Sequence, residues 1–134
     1  MNNAPGSSFI RAAGIHYIVY NLCVVLLNII ASFVFLFYLY SSSDFISQYL
    51  IAAFCLMITA IFGIVVGALA IKYQEMPKKA MLLLALSIIF IVLHLICWIL
   101  SGLFVFFVLS LVISILLISG AIINKRALSA PPSP

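Results

Sequence analysis

The sequence predicts an all-α membrane protein: four transmembrane helices in an up-down bundle of two hairpins, with both termini cytoplasmic. Three observations predict it. Charge is nearly absent, with six Lys or Arg and two Asp or Glu in 134 residues, against 68% hydrophobic residues. The few charges leave uncharged runs over 12–43, 45–71 and 80–124. The basic residues recur at intervals that place them all on one side of a four-span chain. Soluble domains carry about a quarter charged residues, so this composition excludes one. Each run also reaches the roughly 20 residues needed to cross a bilayer.

The elements follow in order. The first run supplies a helix of about 15–40 and the second one of about 46–71. The third run would extend roughly 68 Å as one helix, about twice a bilayer core, so it must turn back. Ser101-Gly102 is the best place for that turn, because Ser and Gly tolerate tight helix-to-helix connections. Helices of about 80–100 and 103–123 result. The polar loop Ser41-Ser42-Ser43-Asp44 can cap the second helix. Pro77 stops the second helix or starts the third. The organisation is then a flexible cytoplasmic tail over 1–14, a bundle over 15–123 and a short cytoplasmic tail over 124–134. The first apolar run is too long for the h-region of a cleaved signal peptide and reads as a retained helix.

Orientation follows from the basic residues. Arg11 precedes the first helix, Lys72, Lys78 and Lys79 join the second to the third, and Lys125 and Arg126 follow the fourth. In a four-span chain all six share one side, and Asp44 lies on the other without Lys or Arg. That is a complete positive-inside pattern, which puts both termini in the cytoplasm. The net charge of +4 does not indicate nucleic acid, because the cations flank spans and no basic patch is interleaved with aromatics. They read as topology anchors with some attraction to anionic headgroups.

Helix interiors carry two kinds of pattern. Thr59, Gly63 and Gly67 recur every four residues and form a small-residue seam on one face of the second helix. The seam serves packing within the chain or contact with another copy. Tyr17, Asn21, Asn28 and Ser32 share one face of the first helix, and Ser87, His94 and Ser101 one face of the third. Unsatisfied amides and imidazoles are costly against lipid, so both stripes are expected to face the bundle interior. Counting from each inner edge sets His94 level with Asn28 and Ser32, with Cys55 and Ser110 at the same depth. An interior polar layer of Asn21, Asn28, Ser32, Ser87, His94 and Ser110 is therefore expected in the outer half of the bundle. A Gly-Ala pair followed by Lys recurs at Gly67-Ala68 with Lys72 and at Gly120-Ala121 with Lys125. It reflects either duplicated hairpins or a repeated span-end anchor.

Chemistry has little to stand on. Cys23, Cys55 and Cys97 fall inside spans without a Cys-x-x-Cys motif and read as small packing residues. His94 and Cys97 are three apart, but further metal ligands at suitable spacing are not evident. No cofactor is implied. The carboxylates Asp44 and Glu75 fall on opposite sides, and no nucleophile or metalloprotease motif occurs. An enzyme is not expected. Small proton-coupled multidrug exporters need a membrane-embedded glutamate, and antiparallel fluoride channels keep a weak charge bias; this chain has neither feature. An oligomeric channel or transporter with an uncharged polar interior is the alternative. In span count and sidedness alone the chain resembles tetraspan proteins of the MARVEL type. The leading expectation is a non-enzymatic interaction or accessory protein. It acts through helix–helix contacts with another membrane protein or a second copy, in a bilayer and without nucleic acid.

Overall fold

The described residues of each uncharged run are helical in the computed structural model, which describes residues 4–38, 43–101 and 104–129. Four long helices pack together: α1 (Ser7–Tyr38), α2 (Ser43–Tyr73), α3 (Ala80–Ser101) and α4 (Phe104–Ser129). A 3-10 turn over Pro77–Lys79 joins α2 to α3. All four helices are long and apolar enough to cross a membrane. Tyr40, the Ser41-Ser42 loop and Gly102 lie outside the described residues.

The connection after α2 is built by local chemistry. Met76 N–H donates to Tyr73 O at 2.9 Å and Lys79 N–H donates to Met76 O at 2.9 Å. Pro77 opens the 3-10 turn, where its missing N–H costs nothing and its fixed φ suits a helical start.

The helices stand in a ring in chain order, each packed on its sequence neighbours, with α1 closing onto α4. Gly14 meets Gly67 and the Asn28 side chain reaches Ala53, so α2 runs antiparallel to α1. The core is a continuous cluster that includes Ile10, Tyr17, Val66, Leu83, Phe90 and Leu117. Outward faces are apolar: Phe54 is 67% exposed, Ile99 72% and Val105 66%. Water would penalise such a surface heavily, whereas lipid tails match it.

Two boundaries differ from the sequence expectation. The segment expected as a flexible tail over 1–14 is helical from Ser7, and α4 continues to Ser129 rather than ending near 123. Tertiary contact explains both. Gly6 N–H donates to the Asn124 side-chain oxygen at 2.7 Å. The Asn124 amide nitrogen donates to Gln74 O at 3.2 Å. Asn124 thus ties the start of α1 and the end of α2 to α4. Ile10 and Ala13 are fully buried, and Ile10 lies against Gly120 of α4.

Candidate functional site: an interior polar column and an outer groove

Gly63 and Gly67 of the predicted seam pack directly against α1. A Cβ on Gly67 would lie 2.7 Å from Gly14 O, and one on Gly14 would lie 2.9 Å from Gly67 O. Gly63 is filled by the Asn21 amide. Thr59 is buried one turn further on, with its hydroxyl 3.9 Å from the Cys97 sulfur on α3. The seam is therefore occupied within the chain. Gly120 receives the same helix by a second close approach: its Cβ position lies 2.7 Å from the Ile10 side chain. The two Gly-Ala positions of the sequence echo both seat α1.

Polar side chains follow the bundle interior. Tyr17, Asn21, Ser87, His94, Ser110 and Ser114 are each at most 2% exposed. The Tyr17 hydroxyl bonds the Ser114 hydroxyl across to α4 at 2.6 Å. The Tyr20 hydroxyl donates to Phe106 O at 2.8 Å. Asn28 Nδ2 donates to Ala53 O on α2 at 2.7 Å. The remaining hydroxyls bond back to their own helices: Ser32 to Asn28 O, Thr59 to Leu56 O, Ser87 to Leu83 O, Ser110 to Phe107 O and Ser114 to Ser110 O. Back-bonding of this kind satisfies a hydroxyl in an apolar medium without a partner helix.

The expected single layer is instead a column. Tyr17, Asn21 and Asn28 succeed one another along α1, a rise of roughly 16 Å from first to last. His94 does not sit level with Asn28 and Ser32. Its ring lies 6.2 Å from the Tyr20 ring and 4.2 Å from Phe90, one turn beyond the Tyr17–Phe90 contact at 4.7 Å. The early start of α1 is the reason: the inner edge of that helix lies about two turns before residue 15, which shifts every depth counted from it. Ser32 is only half-buried.

Two acceptors in this column are buried without a hydrogen-bond partner, Asn21 Oδ1 and His94 Nε2. Their identity is fixed by their other ends. Asn21 Nδ2 donates to Tyr17 O at 2.7 Å and His94 Nδ1 donates to Phe90 O at 3.2 Å. Both targets are carbonyls, so the opposite atom must be the acceptor in each case.

The halves of α1 and α2 away from the cationic end flank an open groove of about 560 Å³. Asn28 and Ser32 line one wall, and Ile51, Phe54 and Cys55 the other. The basic residues Arg11, Lys72, Lys78, Lys79, Lys125 and Arg126 are all exposed. Among the described residues no three His, Cys, Asp or Glu side chains are grouped to hold a metal.

Sequence reasoning missed Ser114, Asn124 and Gly14. Ser114 lies four residues after Ser110, and Asn124 four after Gly120, which places each pair on one helix face. Comparison with family models, with curated proteins and with solved structures finds no match to this chain.

Proposed function

We propose that this chain is a multi-pass membrane protein with both termini cytoplasmic, acting as a non-enzymatic interaction or accessory protein. Its working surface is the groove between the outer halves of α1 and α2, and its partner is a transmembrane helix of another membrane protein. The groove carries the reading. The groove is an apolar cleft with Asn28 and Ser32 on one wall, their donors bonded within the chain, whereas the small residues of the Thr59–Gly67 seam are covered by α1 and α3. Small and polar residues are the elements by which helices associate in lipid, where apolar surface alone gives no preference.

The channel alternative draws less support. Ile10, Leu83 and Leu117 fill the interior on the inner side of Tyr17. The interior hydroxyl donors are engaged by carbonyls or by one another. The six cations share one end of the bundle, which supports the sidedness.

The test is purification of the full chain in mild detergent or nanodiscs, with mass spectrometry of what accompanies it. The expected result is a stoichiometric second membrane protein that is lost in Phe54→Ala but retained in Val105→Ala, a change on an exposed face of α4. A chain that purifies only as a homo-oligomer and conducts ions would sink the proposal in favour of the channel.

A further inference from the structure

The end of the bundle that carries the cations holds one arrangement not explained by orientation. Lys72 closes α2, and Lys79 belongs to the following 3-10 turn. Their ammonium groups converge on a single ring, each 5.6 Å from the centroid of Tyr73. That ring is fixed, because Tyr73 packs against the hydrophobic core. The turn that brings Lys79 back is also fixed, by the Met76–Tyr73 and Lys79–Met76 backbone bonds. Two ammonium groups are thus placed within reach of one ring that the fold holds still.

We propose that Lys72, Tyr73 and Lys79 form a binding site for the phosphate headgroup of an anionic phospholipid. The inference rests on the membrane reading above and goes beyond it. A phosphodiester beside that ring supplies negative charge that attracts both ammonium groups, and its oxygens accept from an ammonium donor. The site lies at the right height: the apolar spans run from Tyr49 to Tyr73 and from Pro77 to Leu100, so Tyr73 and Lys79 stand where a headgroup begins. Met76, Met81 and Leu82 are exposed beside it and offer apolar contact to the acyl chains of the same lipid. Glu75 is exposed on the same loop. The other carboxylate, Asp44, lies at the far end of α2, roughly 42 Å away along the helix.

The experiment uses the full chain in nanodiscs of phosphatidylcholine doped with phosphatidylglycerol. Native mass spectrometry counts the lipids retained on the released protein. Wild type is expected to retain phosphatidylglycerol preferentially. Lys72→Gln with Lys79→Gln should lower that preference roughly thirtyfold, given the usual attraction of each of two basic residues to an anionic leaflet. Tyr73→Leu, which leaves every charge in place, should lower it several-fold, and Tyr73→Phe should leave it intact. Full preference in Tyr73→Leu would overturn the site and leave only diffuse charge. Full preference in the double Lys variant would overturn it outright. Stabilisation in phosphatidylcholine-only discs by inorganic phosphate, equal to that given by phosphatidylglycerol, would overturn the lipid as the source. A chain that does not enter nanodiscs at all would fail the membrane reading instead, which separates the two failures.

Discussion

Replacing Gly63 by alanine sets a methyl group against the amide of Asn21 on the facing helix. The new Cβ would lie 2.6 Å from Oδ1 and closer still to Nδ2 and Cγ. No rotation of the amide relieves this, because all three atoms of the group are within reach. Either the Asn21 side chain leaves or α1 and α2 move apart. Leaving breaks the Nδ2 bond to Tyr17 O, worth about 1 kcal/mol net. It also strands a buried donor at about 1–3 kcal/mol. Alanine recovers about 1 kcal/mol of helix propensity over glycine. The balance is a destabilisation of about 1–3 kcal/mol. In an Asn21→Ala background the obstruction is gone, and Gly63→Ala should be neutral or stabilising by up to about 1 kcal/mol. Reversible unfolding of the four proteins of this cycle in mixed micelles measures the coupling, expected at about 1–4 kcal/mol. Additive effects, equal in both backgrounds within about 0.5 kcal/mol, would refute the assignment of Gly63 to the Asn21 contact.

Other expectations are smaller or more local. Asn124→Ala removes the acceptor for Gly6 N–H and the donor to Gln74 O. Amide exchange over the first two turns of α1 should then rise, with global stability falling by about 1–2 kcal/mol; unchanged exchange there would contradict the tie. Tyr17→Phe deletes the bond to Ser114 while Ser114 still donates to Ser110 O. Unfolding should register a loss near 0.6 kcal/mol and not above about 1.7 kcal/mol, the range for interhelical bonds in membrane proteins. In sealed liposomes the wild-type chain should pass no ions, and His94→Leu should change nothing; flux abolished by that substitution would revive the channel.

The four helices were legible because charge alone partitions the chain. Arg11, Asp44, the Lys72–Lys79 segment and Lys125 bracket the apolar runs, and lipid tolerates little else inside them. What could not be read was where α1 begins. Residues 7–14 mix Ser, Arg, Gly and apolar side chains, and their helix is held by the bond from Gly6 to Asn124 and the contact of Ile10 with Gly120, partners more than a hundred positions away. That one misplaced edge carried through to the depth of His94. Spacing put Thr59, Gly63 and Gly67 on one face, but a face does not name its partner. Gly14 decides that here, because it lets the α1 backbone approach Gly67 directly. Spacing likewise marked the polar stripe of α1. It could not show that Asn21 turns to α2 and Tyr17 to α4, because that depends on which helix fills each neighbouring position.

The central claim, four crossings of a bilayer with both ends on the cytoplasmic side, is tested most directly by substituted-cysteine labelling in intact cells. Single cysteines at Ser42, Glu75 and Ser129 are introduced into a chain lacking Cys23, Cys55 and Cys97, and a membrane-impermeant maleimide is applied. The account predicts labelling at position 42 in intact cells, and at 75 and 129 only after the membrane is opened. Labelling of position 75 or 129 in intact cells would contradict it.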